Sequence, residues 1–326
     1  MLKSLQHRLT VLAVLLSAAI AVFSEVPIEE PVLGGNPTGI APLYFGPNAF
    51  PVPDMLDGRT QSMLRAELAA DGYLGREKDW TADIFARIQI PLFTSRVNLS
   101  VWMPVYEFYG ISPARQQTCR LKEQDSLYLR GSGAGDVYIS TDIQVYRATT
   151  WVPDIAVRAA VKTASGGQFG RARHYDCPGY FFDLSVGKSM YLGSRYHAIG
   201  KRKRRFPYDD ERDAAVELRM AGTIGFLCWQ TDNGRQNDAV YYGVQLLVKH
   251  EWVSLRCTWS GYAGWENHGD RPMSVKAVLS GYVKDFEPYV AYQYGIKDYP
   301  FQQVRVGLVY NFDMLGTVKH KRPGEI

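Results

Sequence analysis

Residues 80–90 read WTADIFARIQI. Ala82, Ile84, Ala86, Ile88 and Ile90 share one parity, while Thr81, Asp83, Arg87 and Gln89 share the other. A period of two belongs to a β-strand, whose successive side chains leave opposite faces of the sheet. This strand therefore separates an aliphatic side from a charged one. The pattern returns in RVNLSVWMPV (96–105), DVYISTDIQVY (136–146) and PDIAVRAAVKT (153–163). It returns again in GYFFDLSVGKSM, AAVELRMAGTIGF, AVYYGVQLLVK, WVSLRCTW, RPMSVKAVLSGYV, FEPYVAYQY and FQQVRVGLVYNF. With the weaker MLRAELAADGY (63–73), the chain carries about twelve strands of about 9 to 13 residues. Strands of soluble proteins run nearer 5 to 6 residues, and tilted membrane strands need about 9 to 11.

The links between strands supply a second signal. Alternate links are short: PLFTSR (91–96), YRATTWVP (146–153), HEW (250–252) and KDF (284–286). The intervening ones are mostly longer or more polar, among them 111–135, SGGQFGRARHYDCPG, QTDNGRQND and ENHGDRP. Membrane barrels of the bacterial outer membrane alternate short periplasmic turns with longer external loops and have an even strand number. One link breaks this rule. It holds GKRKRRFPYDDERDA (200–214), which parity places on the short-turn side.

Composition agrees with a secreted barrel. Aromatics make up 13% of the 326 residues, including 21 Tyr and 7 Trp, and several fall at strand ends, such as Trp80, Tyr109, Tyr146, Trp151 and Trp229. Such rings suit an interface with one wet and one dry side. The first 24 residues have a basic start (Lys3, Arg8), an apolar run from about Leu9 to Phe23 and small residues near Ser24, the form of a removed secretory signal. The alternative, a membrane-anchoring helix, asks for about 20 apolar residues. With a net charge of only +4 and a secretory start, nucleic acid is not an expected partner, and the five basic residues Lys201–Arg205 read instead as a contact for anionic headgroups or a periplasmic partner. Residues 25–60 are rich in Pro and Gly and read as an extended arm. This arm either threads the barrel as a partial plug or hangs in the periplasm as a tether.

Two stretches carry a family resemblance. GAGDVYISTDIQVY (133–146) followed by IAVRAAVKTASGG (155–167) resembles the outer-membrane barrels grouped with the meta-pathway of phenol degradation, which pair a Gly-x-Gly-Asp strand start with a later Lys-(Thr/Pro)-x-(Ser/Thr)-Gly strand exit. YFGPNAFPVPDM (44–55), WQTDNGRQNDAVYYG (229–243) and GDRP (269–272) are similar to an uncharacterised group of Gram-negative secreted barrels. The resemblance implies an outer-membrane barrel and passage of small, partly apolar molecules. Such barrels often end on an aromatic residue, whereas here DMLGTVKHKRPGEI follows Phe312.

The expected architecture is all-β: a single closed antiparallel transmembrane β-barrel over 61–312, after a signal at 1–24 and an arm or plug at 25–60, and before a tail at 313–326. With the aliphatic parity facing lipid, the lumen is lined by Arg65, Glu67, Arg87, Arg158, Asp183, Glu217, Arg219, Lys276, Glu287 and Arg305. These charges act either as a selectivity lining or as ion pairs filling a narrow barrel. Arg158 and Asp183 are neighbours in strand order. Cys119 and Cys177 both fall in expected external loops, which allows a disulfide or leaves two thiols, and Cys228 and Cys257 read as small apolar residues.

The cysteine spacings match no zinc pattern. No metal or other cofactor is expected. His268 near Asp270, and His174 near Asp176 and Cys177, read as loop residues, and no His-x-Ser-Asn-Gly signature of phospholipase barrels occurs. The expected function is a channel or binding barrel for a small, partly apolar molecule in the outer membrane of a Gram-negative cell. The alternatives are a barrel that anchors a partner and, less favoured by the residues, a lipid-modifying enzyme.

Overall fold

The computed structural model describes residues 41–92, 96–119, 129–167, 177–192, 216–230, 236–265 and 269–312. The expected signal segment, the arm up to residue 40, the basic link at 201–205, the loop residues His174 and His268 and the tail after 312 lie outside the described residues.

Twelve long strands form the wall: β1 (Leu64–Gly75), β2 (Trp80–Leu92), β3 (Val97–Gly110), β5 (Tyr138–Tyr146), β6 (Asp154–Lys162), β7 (Gly179–Leu192), β8 (Val216–Gln230), β9 (Gln236–His250), β10 (Val253–Gly264), β11 (Met273–Gly281), β12 (Phe286–Lys297) and β13 (Phe301–Phe312). Each pairs antiparallel with its sequence neighbour, and β1 pairs with β13 from Leu64↔Phe312 to Gly75↔Phe301. The sheet is therefore closed and the wall has no free edge. A short strand β4 (Arg130–Gly133) extends the far end of β3 beyond the point where β5 stops, and a helix α1 (Pro113–Thr118) sits in the same link. Ser112 caps α1, its Oγ accepting from the Arg115 amide at 3.0 Å.

Parity sends each side chain to the medium that suits it. Along β1 the outward Leu68 and Leu74 are exposed, while the inward Asp71 and Tyr73 are buried. The same holds around the wall: Ile84, Ile139, Val161, Phe182, Ile224, Leu246 and Val306 are all exposed on the outside. In β3 a bulge at Val105 shifts the register, with Ile84 opposite Tyr106 and Phe85 opposite Pro104. Because of that extra residue, Glu107 and Tyr109 turn inward and are buried.

Two links on the long-loop side are tighter than the sequence suggested. Only Arg76–Asp79 separate β1 from β2, and only Asp298–Pro300 separate β12 from β13. Ladder pairing runs on past the aliphatic pattern, to Leu74↔Trp80 and Tyr294↔Gln302. Lys78 (φ 65°) and Asp298 (φ 48°) take the left-handed conformation that closes these turns. Burial pushes the Asp298 carboxyl above its ordinary range, although it accepts from the Arg271 amide at 3.1 Å.

The expected aromatic ends are corrected at two positions. Trp229 and Tyr109 do not meet an outer interface; both lie on the inward parity and are buried inside the wall. Trp80 and Trp151 are outside, the latter 91% exposed.

The outward parity generates a test. In lipid vesicles Ile224→Arg, which sets a cation at the middle of the outer face, is expected to lower the unfolding free energy by about 2–4 kcal/mol. Urea titration followed by tryptophan fluorescence reads the change.

Candidate functional site

The site is the lumen, and the chain itself runs through it. Before β1 begins, residues 41–61 pass from one end of the barrel to the other. At the long-loop end, a 3-10 turn at Pro42–Tyr44 is followed by Phe45, and the Leu43 amide donates to the Gly269 carbonyl at 3.2 Å. Arg115 of α1 donates through Nη2 to the carbonyls of Leu43 and Phe45 at 2.7 and 3.1 Å. Further along, the Tyr262 and Tyr241 hydroxyls donate to the carbonyls of Phe50 and Pro53, each at 3.0 Å. At the short-turn end Gln144 donates to the Gly58 carbonyl at 2.7 Å, and Arg219 donates to the Asp57 carbonyl at 2.6 Å. A segment rich in proline and glycine cannot pair its own backbone as helix or sheet, so inward side chains of the wall supply the partners.

The upper part of this passage is a hydrophobic core. Leu43, Tyr44, Phe45 and Phe50 of the segment pack with Tyr138, Phe181, Leu227, Trp229, Tyr241 and Tyr262 of the wall. Phe45 and Phe50 meet edge to face at 5.3 Å, and Trp229 Nε1 donates to the Tyr262 hydroxyl at 3.2 Å. This is why Trp229 is buried: the inner face of β8 is dry where the segment covers it.

The lower part is held by charge. Arg59 pairs with Asp154 at 3.1 Å and with Glu217 at 2.9 Å, and Arg219 reaches the same Asp154 carboxylate at 3.0 Å. Asp54 bridges Arg87 at 2.7 Å and Lys276 at 2.9 Å. Gly58 fits here for a steric reason. Its φ is +85°, and a Cβ would stand 2.7 Å from the Gly187 nitrogen and 2.9 Å from the Asp154 carbonyl oxygen.

All ten charged residues singled out in the sequence sit on the inward parity, and each has a partner of opposite charge. Arg65 pairs with Glu287 at 2.7 Å, Arg158 with Asp183 at 2.7 Å, and Arg305 forks onto Asp71 at 2.6 and 2.7 Å. Glu67 accepts from the Tyr289 hydroxyl and lies 3.7 Å from Arg87. Inside a barrel wall unpaired charges are strongly disfavoured, so pairing dominates the lining. The sequence did not reveal the partners that come from the segment, Asp54, Asp57 and Arg59, nor the buried acids Asp71 and Asp154. Asp71 and Asp154 do carry the inward parity of their strands; Asp54, Asp57 and Arg59 stand in a stretch with no period.

The motif at 133–136 and 162–166 has a local explanation. Asp136 Oδ1 accepts from the amides of Ser165 and Gly166 at 3.0 and 2.8 Å, and its other oxygen meets Lys162 Nζ at 2.6 Å. Thr163 Oγ1 donates to the Val137 carbonyl at 2.9 Å. Together these contacts lock the start of β5 to the exit of β6. The two loop cysteines are thiols, not a disulfide. Cys119 Sγ donates to the Tyr44 carbonyl at 3.1 Å, while Cys177 is buried in the core around Trp229.

Space remains on both sides of the segment. One chamber is lined by Phe85, Trp102, Tyr138, Phe181 and the prolines at 47, 51 and 53. A second lies toward the short turns and is lined by Arg65, Gln245, Arg256, Thr258 and Glu287 among others.

No protein-family model and no curated protein matches the chain. Among solved structures, the NanC porin is 9% identical, with 76% of this chain and 100% of that chain covered and a TM-score of 0.42. The transport unit of the autotransporter AIDA-I from Escherichia coli is 7% identical over 80% of this chain and 93% of that chain, with a TM-score of 0.45. The CymD monoaromatic hydrocarbon channel is 8% identical over 78% and 91%, with a TM-score of 0.36. At such values the likeness is one of barrel shape.

The shared carboxylate of Asp154 generates a test of the segment's seat. Asp154→Ala leaves Arg219, whose side chain is fully buried, without its closest carboxylate, and is expected to destabilise the fold by about 3–5 kcal/mol. Hydrogen exchange should speed up at residues 57–61 before it does so in β9 and β10.

Proposed function

We propose that this chain is an outer-membrane barrel that takes up a small, partly apolar molecule in its lumen, and that residues 41–61 close the pore. The observation that carries the reading is the coincidence of an aliphatic outer belt with chambers inside a closed wall. A belt that includes Leu68, Ile84, Ile224, Val244 and Leu308, all exposed, would be unfavourable against water over so large a surface. It suits hydrocarbon, and closure gives every strand the backbone partners that hydrocarbon demands. The aromatic chamber beside Trp102 and Phe181 supplies the apolar surface for a solute.

Closing the pore with a tethered segment makes passage depend on displacement. The segment's contacts divide into a hydrophobic half around Phe50 and an ionic half around Arg59. Salt screens only the ionic half, and within it the open Asp54 bridge more than the buried pair of Asp154 and Arg219.

A second reading is favoured by one observation. Ala41 is buried at the long-loop end, whereas β1 starts at the short-turn end. A partner engaging the first described residues of the segment would thus meet it on the long-loop side, which is the anchoring role.

Planar-bilayer recording separates these roles. The full chain is expected to stay closed or to open only briefly, and a variant lacking residues 41–60 to give a steady conductance. If neither conducts while the deleted variant keeps its folded mobility on gels, the channel reading is wrong.

A further inference from the structure

The two chambers meet at a single carboxylate. Asp54, Arg87, Lys276 and Arg305 line both of them. Asp54 belongs to the threaded segment, while Arg87 comes from β2 and Lys276 from β11. Its side chain is 42% exposed, and those of Arg87 and Lys276 are 20% and 19% exposed, so the bridge faces open space. An ion pair open to water exchanges partners readily, unlike the enclosed Arg158 and Asp183.

The polar groups still uncommitted around that point are donors. Arg256 projects inward from β10 into the short-turn chamber and, among the described residues, makes no hydrogen bond or ion pair. Arg65 Nε, Arg87 Nε and Gln245 Nε2 are buried with no acceptor. In the short-turn chamber the lining carries six cations, Arg59, Arg65, Arg87, Arg256, Lys276 and Arg305, against four carboxylates, Asp54, Asp57, Glu67 and Glu287. On the other side of the bridge the lining turns aromatic, and Arg87 lies 5.1 Å over Phe85 and 5.5 Å over Trp102. The pattern is a cationic clasp with an aromatic pocket attached.

Building on the channel reading, we propose that the lumen binds a small carboxylate with an apolar body, its carboxylate taking the place of Asp54 between Arg87 and Lys276. The apolar body lies against Phe85 and Trp102, and Arg256 adds attraction from below. The segment's own carboxylate then acts as an internal stand-in for the solute. Solute and Asp54 compete for the same two cations, so binding weakens the segment's grip at its midpoint, and a seated segment weakens binding by the same factor. No covalent step is involved.

Calorimetric titration of the full chain in detergent tests this with benzoate and, as the neutral counterpart, benzyl alcohol. Benzoate is expected to bind and benzyl alcohol not to. Asp54→Asn should bind benzoate about tenfold more tightly, since it withdraws a charge-assisted competitor. Lys276→Met in that background should abolish binding. Arg256→Ala, which breaks no hydrogen bond or ion pair among the described residues, should weaken it several-fold, so the idea stays testable even if a clasp variant fails to fold. Equal binding of the two compounds, no benzoate binding by any folded variant, or an unchanged affinity in Asp54→Asn would each overturn the proposal. Failure of the channel reading is seen separately. A deleted variant that does not conduct, alongside a full chain that binds benzoate, removes passage and leaves the carboxylate site standing.

Discussion

Everything in this molecule follows from the pairing of β1 with β13. Twelve residue pairs from Leu64↔Phe312 to Gly75↔Phe301 turn an open sheet into a ring. A ring has an inside and an outside, and a period of two then assigns every second residue to each. Once closed, the wall must fill or hydrate its interior, and its aliphatic parity is left on the outside. The charges on the inner parity therefore find partners close by, with Arg256 an exception among the described residues.

The wall alone does not satisfy them. Arg65 and Glu287, Arg158 and Asp183, and Arg305 and Asp71 pair within it. Three further cations depend on the threaded segment: Arg87 and Lys276 on Asp54, and Arg219 partly on Asp57. The segment depends in turn on the wall, which accepts Arg59 at Asp154 and Glu217 and donates to its carbonyls from Tyr241 and Tyr262, and on α1, which donates from Arg115. Wall and segment thus complete one another, and the barrel's interior is best described as a core with two chambers in it.

The wall was legible in the sequence because a strand writes its environment into every second residue. WTADIFARIQI separates an aliphatic face from a charged one, and once the closed wall sets the aliphatic face outside, the inward positions of Arg87 and Arg305 follow from counting. The contents of the lumen were far less legible. An arm such as YFGPNAFPVPDMLDGRT has no period, because each residue is placed by whatever wall residue happens to lie beside it. Nothing in the spacing marks Asp54 as the partner of Lys276, 222 positions away. Trp229 misled for a related reason: a ring at a strand end suits an outer interface or a buried seat equally, and only the presence of Phe50 decides. The tight turns at 76–79 and 298–300 escaped notice because ladder hydrogen bonds continue through polar residues as readily as through aliphatic ones.

The central claim, that residues 41–61 sit inside the barrel wall, is tested most directly by cross-linking. A Cβ at position 243 would lie 3.2 Å from the Met55 sulfur. In a variant with the four native cysteines replaced, Met55→Cys together with Gly243→Cys should be joined by a short bifunctional thiol reagent into an intramolecular cross-link in the folded barrel, and neither single variant should cross-link. A folded double variant that forms no such bond, or forms it only between separate chains, would contradict the account.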